Sequence, residues 1–459
     1  MKRTKIRNIH FVGIGGVGMS GIAEVLLNQG YRVQGSDIRT SDLVRRLMSL
    51  GAHVFLGHRA EQIQGADVVV VSSAVHEENE EVRMARELKI PVIQRAEMLS
   101  ELMRTKHGIA VAGAHGKTTT TSMVGQILTD AGLDPTVVIG GRLSTFGSNA
   151  RLGQSDIMVA EADESDGSFL RLSPAIVVVT NLDAEHLDYY RDLDHVKSTF
   201  LQFINKVPFY GLNVLCLDDP GLQDLLPHVQ RRRVTYGLTA QADLRASDVQ
   251  PAGTVTRFKA QYQGRELGQV QLNIPGIHNL YNALASLAVG LELDVPFEAM
   301  ARSLDKLGQV GRRLELLGTV DDILVMDDYG HHPTEIRATL KAVRDSWEQR
   351  RVVVVFQPHR YTRTRFLYDE FVKSFYHADH LVITDIYPAG ESPVPDVSGK
   401  RLSEGIREHG HRDVCYIGRL EDVARHVKTH CRPGDLLLTL GAGNVYEVAR
   451  EFLEGKQSG

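Results

Sequence analysis

The chain has 459 residues, enough for two to four domains at ~100–200 residues each and too many for one small binding module. Apolar residues make up 42% and charged residues 24%, a globular composition that excludes extensive disorder. With 52 Lys and Arg against 57 Asp and Glu the net charge is -5, so neither nucleic acid nor an acidic membrane surface is an expected partner.

The basic start of the chain runs into residues 9–18, which glycines interrupt where a signal peptide would carry an apolar block. No apolar run approaches the ~18 residues of a membrane span, so no membrane insertion is expected. Cys216, Cys415 and Cys431 are odd in number and far apart, which predicts packed free thiols in a reducing, cytoplasmic setting.

Apolar runs at 9–12, 31–33, 53–55, 68–71 and 91–93 alternate with helical patterns, the signature of a parallel α/β domain. The glycine cluster Gly13-Ile14-Gly15-Gly16-Val17-Gly18 follows the first strand, and Asp37 closes the next. That spacing lets a diphosphate lie against backbone amides at a helix start, without choosing between a dinucleotide and a nucleotide sugar; glycines that serve only strand–helix packing would look the same.

A second α/β unit is predicted from strands at 109–112, 137–139, 157–160 and 176–179 and a helix at 279–291; residues 243–274 read instead as antiparallel strands. Its first strand leads into Gly113-Ala114-His115-Gly116-Lys117-Thr118-Thr119 and then an amphipathic helix. Glycines that admit phosphate oxygens to backbone N–H groups, a lysine, and a threonine able to ligate Mg2+ make this a phosphate loop for a nucleoside triphosphate. It is shorter than the usual loop, because Val111 stands where the first glycine is expected. Glu161-Ala-Asp163-Glu164-Ser-Asp166 follows the strand at 157–160, and Asn181-Leu-Asp183-Ala-Glu185-His186-Leu-Asp188 the strand at 176–179. Acids and an imidazole at neighbouring strand ends suit a cation held against phosphates; each segment alone would read as a solvated turn.

Strands at 323–326, 352–356, 381–384, 414–417 and 436–440 predict a third α/β unit. These motifs, with Gly276-Ile-His278-Asn-Leu-Tyr-Asn282, Gly311-Arg-Arg313, Asp328-Tyr329-Gly-His331-His-Pro and Phe356-Gln-Pro-His-Arg360-Tyr-Thr-Arg363, resemble those of the Mur ligase family, in family order over nearly the whole chain. The resemblance implies a three-domain Mur ligase architecture: a Rossmann-like UDP-sugar domain at 1–106, a central P-loop ATPase domain with additional antiparallel strands at 107–309, and a C-terminal Rossmann-like α/β domain at 310–459.

It further implies an ATP-dependent ligase of peptidoglycan precursor synthesis that joins L-alanine to UDP-N-acetylmuramate through an acyl phosphate, as a monomer or homodimer. By the same resemblance Thr118, Glu161 and His186 hold Mg2+ or Mn2+, His278 and Asn282 contact the adenine side of ATP, and Arg313 reaches its phosphates. Gly15, Gly16, Val17, Gly18, Ser36, Asp37, Ser72 and Ser73 are then expected on the UDP-sugar, and Tyr329, His331, Arg360 and Arg363 near the amino acid, with His331 the candidate proton acceptor. Ala114 departs from the threonine common in the family loop, and no lysine is assigned to a second metal. The rival readings are a ligase attaching a preformed tripeptide to the same sugar, a folate polyglutamylating ligase, an NAD oxidoreductase using the first glycine cluster, and a non-catalytic nucleotide switch.

Overall fold

In the computed structural model, which describes residues 6–72, 75–139, 150–186, 189–307 and 311–457, the β-branched runs are strands buried on both faces. Val68–Val71 and Val352–Phe356, for example, have every residue buried, the environment of a parallel sheet covered by helices on each side.

The first sheet contains β1 (Asn8–Val12), β2 (Arg32–Asp37), β3 (His53–Leu56), β4 (Val68–Val71) and β5 (Val92–Gln94), all parallel in the order β3-β2-β1-β4-β5. Strand order reverses beside β1, so the glycine loop after Val12 opens at the switch point where such sheets bind ligands. β2 runs on to Asp37, well beyond the expected 31–33, because its polar second half is stabilised by buried hydrogen bonds rather than apolar packing.

The second sheet has ten strands in the order β15-β14-β13-β12-β11-β10-β6-β9-β7-β8. These are β6 (His107–Ala112), β7 (Thr136–Val138), β8 (Ala150–Arg151), β9 (Ile157–Glu161), β10 (Ile176–Val179), β11 (Leu212–Cys216), β12 (Arg233–Gly237), β13 (Leu244–Ala252), β14 (Val255–Tyr262) and β15 (Arg265–Leu272). β6 lies parallel between β9 and β10, which brings the strand ends at Ala112, Glu161 and Val179 side by side. Two-residue connections, Gly253-Thr254 and Gln263-Gly264, join β13 to β14 and β14 to β15, and only antiparallel neighbours can be linked so tightly. The antiparallel reading of 243–274 is thereby met.

The third sheet comprises β16 (Glu315–Val320), β17 (Ile323–Asp328), β18 (Val352–Phe356), β19 (His380–Ile383), β20 (Val414–Tyr416) and β21 (Leu436–Leu440), in the order β16-β17-β21-β18-β19-β20. Only β16 is antiparallel to its neighbour, and apolar clusters cover both faces.

The chain divides into two compact units, Met1–Ser247 with Lys259–Val270 and Tyr281–Leu307, and Asp248–Phe258 with Gln271–Leu280 and Gly308–Gly459. The expected division at 106/107 falls inside the first unit, where the helix Val17–Asn28 packs on β7 and β8. Residues 308–310, at the other expected division, lie outside the described residues. The three cysteines are free thiols, and no helix among the described residues is long and apolar enough to cross a membrane.

Candidate active site

β6 ends at Ala112, and the chain turns through Gly113 and Gly116, both at positive φ, into the helix Lys117–Asp130. A Cβ on Gly113 would collide with Thr180 Oγ1, and one on Gly116 would lie 2.5 Å from Asn282 Oδ1, so both positions exclude a side chain. The loop is fastened to the end of β10. His115 N donates to Asn181 Oδ1 (2.8 Å), while Thr180 Oγ1 and Asn181 Nδ2 donate to His115 O at 2.6 and 3.0 Å. His115 Nε2 meets Asp183 Oδ2 at 2.9 Å. Ala114 N donates to Asn181 O, Thr118 is half-buried and Thr119 buried in the helix's first turn. Asn282 accepts from Thr120 Oγ1 at 3.1 Å, so its carboxamide oxygen braces the loop helix.

Lys117 Nζ donates to Gly113 O (2.6 Å), Ala114 O (3.0 Å) and Glu164 Oε1 (2.7 Å). Burial opposes its charge, but Glu164, Glu185 and Asp163 outweigh that and raise its pKa. Glu164 itself is pushed up to about 7, by burial first and by Asp163 and Glu185, against the pull of Lys117. Glu164 Oε2 is buried and makes no hydrogen bond. Donor atoms of Glu164, Glu185 and His186 all lie within 4.8 Å of one another, with His186 at φ 54°. Of the expected metal ligands the structure thus brings His186 into an acidic cluster, whereas Glu161, at the end of β9 and level with Val111, is not one of its three members. Glu164 and Glu185 escaped the sequence reading as individuals; the signal available was their place in the two acidic strand-end motifs.

At the first sheet's switch point Gly13 N and Ile14 N donate to Ser36 O, and Gly15 N to Asp37 Oδ2 at 2.8 Å. Asp37 therefore braces the glycine loop's backbone. Ser36, expected on the sugar, is fully buried and its hydroxyl donates to Glu81 Oε2 at 2.6 Å, beneath the loop rather than at its surface. Gly16 and Val17 begin the helix Val17–Asn28, and Ser72 follows β4 half-buried. Ser73, with Leu187 and Asp188 of the second acidic motif, lies outside the described residues. Arg95, absent from the sequence reading, touches the position a Cβ on Gly18 would take and pairs with Asp163 at 2.7 Å, linking the glycine loop to the acidic strand end. Arg95 helps hold the Asp163 pKa below the usual range, against a larger opposing effect of burial.

The second unit gathers its own candidates. Tyr329 lies under the guanidinium groups of Arg312 and Arg313, 5.1 and 5.3 Å from its ring centre. His278 has its pKa lowered to about 4 by burial and by the Arg313 charge. His331 Nδ1 is 3.0 Å from Tyr329 O and 3.5 Å from Glu335 Oε2, and its ring is 5.6 Å from that of His359. His359, a second residue the sequence reading missed, stacks on Tyr387 and lies 3.3 Å from Arg363 Nη1. Burial, then His331, Arg363 and Arg360, push its pKa down to about 3, so it is a neutral acceptor for the arginine. Arg360 sits at φ 69°, a conformation costing a non-glycine residue about 1–3 kcal/mol, and its Nε is buried without a hydrogen bond.

Comparison with known proteins matches residues 8–107 to the Mur ligase family catalytic domain, 111–290 to the Mur ligase middle domain and 312–443 to the Mur ligase glutamate ligase domain. The chain is 58% identical over 449 residues to the UDP-N-acetylmuramate--L-alanine ligase of Desulfatibacillum aliphaticivorans, covering 98% of each. It is 58% identical over 450 residues to the enzyme of that name from Geobacter sulfurreducens, covering 98% of this chain and 97% of the other. The crystal structure of UDP-N-acetylmuramate-alanine ligase MurC from Thermotoga maritima superposes with a TM-score of 0.84 at 29% identity, covering 98% of this chain and 99% of the other. A murein peptide ligase from Psychrobacter arcticus gives 0.73 at 25%, with 98% of each covered.

Proposed function

The chain belongs to the Mur ligase family, and from that premise we propose that it joins L-alanine to the lactyl carboxylate of UDP-N-acetylmuramate at the expense of ATP. The observation carrying this reading at the site is Lys117, held between the glycine loop and the buried Glu164 at the strand ends where a triphosphate's charge would accumulate.

A carboxylate is a poor acyl donor because oxide is a prohibitive leaving group. Its oxygen therefore attacks the γ-phosphorus of ATP, the bond to the β-phosphate oxygen breaks, and ADP leaves an acyl phosphate. Lys117 exchanges loop carbonyls for phosphate oxygens and offsets the charge spread over the transferred group. The amine of L-alanine then attacks the acyl carbon, the tetrahedral intermediate expels phosphate, and an amide remains. His331 accepts the amine's proton, while Arg360 and Arg363 grip the alanine carboxylate; the orphaned Arg360 Nε and the strain at its backbone support that role. Arg313 and His278 act at the nucleotide, and Asn282 orders the loop that receives it. Gly15 to Gly18, Asp37 and Ser72 form the UDP-sugar end.

The donor set fits a divalent cation: Glu164, with its unpartnered buried oxygen, Glu185 and His186 would hold Mg2+ or Mn2+ with help from Thr118 and Glu161. Such an ion supplies neutralisation of phosphate charge.

An ADP-release assay offering L-alanine or a preformed tripeptide tests the proposal. Turnover with UDP-N-acetylmuramate and L-alanine is expected; turnover with tripeptide alone would move the chain to the peptide-ligase reading.

A further inference from the structure

Away from the residues assigned above, three imidazoles converge in the second unit. His380 opens β19, and His426 and His430 stand four residues apart on the helix Leu420–His430, hence on one face. His380 Nε2 is 3.1 Å from His426 Nε2, and each of the three residues offers a ring nitrogen within 4.8 Å of the other two. Behind His380, Asp413 Oδ2 lies 2.9 Å from Nδ1. It approaches off the hydrogen-bonding axis, so this buried nitrogen has no aligned hydrogen bond.

Two Zn–N bonds of about 2.0–2.1 Å at a tetrahedral angle set their nitrogens about 3.3 Å apart, within a few tenths of the separation seen here. Histidines four apart on a helix are a chelating spacing. A carboxylate on the far nitrogen of a ligating imidazole is the usual outer support of such a site, fixing the tautomer and raising the ligand's basicity. His380 is buried while His426 and His430 are half-exposed, which leaves an entry path. The nearest opposing charge is Arg351, whose Nη1 is 3.5 Å from His430 Nε2; its guanidinium is already paired with Asp435 at 2.8 Å.

We propose that His380, His426 and His430 bind a borderline divalent cation, Zn2+ foremost, through three imidazole nitrogens, with Asp413 as outer-sphere support. The ion ties β19 to the end of the helix Leu420–His430. The rings now lie within 28° of parallel, so binding fans them about χ2 until three lone pairs meet. The chemistry differs from the carboxylate-rich cluster around Glu164: an all-imidazole site discriminates against Mg2+.

The test uses the full chain, with Zn2+ alone as titrant in a background of excess Mg2+ to occupy oxygen-rich sites, and Co2+ as a spectroscopic substitute. One equivalent of Zn2+ is expected to bind and raise Tm, and Co2+ to give the strong visible bands of tetrahedral nitrogen ligation. His426→Ala and His430→Ala, both half-exposed and so tolerable to the fold, are expected to weaken binding by about 100-fold or more, and Asp413→Asn by about 10-fold. His186→Ala is expected to retain Zn2+ binding, and the His426→Ala and His430→Ala proteins to keep the ligase rate of the parent. Equal Zn2+ affinity in the parent and the His426→Ala/His430→Ala protein, loss of binding in His186→Ala instead, or no binding at all would overturn the site.

Discussion

In the proposed mechanism Lys117 is the residue on which the chemistry turns, and its surroundings predict what its removal does. Without it Glu164 loses its cation, but that carboxyl already has a pKa of about 7 and takes up a proton instead of remaining as a buried charge. Lys117→Ala is therefore expected to keep a near-parental circular dichroism spectrum and Tm while ADP release falls by about 100-fold or more. Parental turnover would remove the lysine from the mechanism, and a collapsed fold would refute the protonation argument. The lysine, the loop glycines and the acid-rich strand ends were all legible in the sequence, because phosphate binding dictates residue types at short spacings. Which acid is buried was not. Four carboxylates fall between Glu161 and Asp166, and only the way the turn after β9 folds selects Glu164 for the lysine and for its neighbours Glu185 and His186. Arg95 was hidden for the same reason, since Asp163 meets it only through the fold; His359 lies four residues from Arg363 inside a recognisable motif, but its stacking on Tyr387 comes from the fold and a histidine there carries no signature of its own.

At the scale of the element, the strand–loop–helix order of β6, the glycine loop and the helix Lys117–Asp130 follows from local sequence, but its rigidity comes from elsewhere. Thr180 and Asn181, at the end of β10, lock His115; Asn282, from a helix more than 160 residues away, fills the space beside Gly116. Gly116→Ala places a methyl 2.5 Å from Asn282 Oδ1 at φ 85°, so strain and collision act together. A cost of about 1–3 kcal/mol in unfolding free energy is expected, with ATP affinity falling by at least about 10-fold; calorimetric titration with a non-hydrolysable analogue measures the second. Asn282→Ala tests the brace separately. It removes the obstacle but leaves Thr120 Oγ1 without its acceptor, so weaker nucleotide binding with only a small loss of stability is expected. Unchanged affinity in that variant would show that the loop holds its shape unaided. No motif marks the strands that the sequence did not predict: β8 and β16 are antiparallel sheet edges, and β11 and β12 extend the second sheet beyond β10.

For the molecule as a whole, three α/β sheets were legible because most of their parallel strands are short apolar runs between helices. The two units also carry opposite acid responses. In the second, burial lowers the pKa of His278 to about 4 and of His359 to about 3, and lowers that of His411. A histidine with a depressed native pKa stabilises the fold above its unfolded value near 6.5, and that stability is lost as pH falls toward the native value. In the first unit Glu164, at about 7, and Asp219 have raised pKa values, so the native state holds extra protons and gains stability as pH falls through the same range. Asp328, raised to about 6, works in that direction within the second unit but stands against six histidines with lowered values. The second unit should therefore unfold first in acid. The chain's single tryptophan, Trp347, packs against that unit's core and reports on it alone. On titration from pH 7 to 4 its fluorescence is expected to change before most of the far-ultraviolet dichroism is lost, and His359→Gln to move the fluorescence midpoint to lower pH, by a contribution on the order of a few kcal/mol. A single coincident transition, unmoved by His359→Gln, would mean that the histidines do not set the acid limit of the fold.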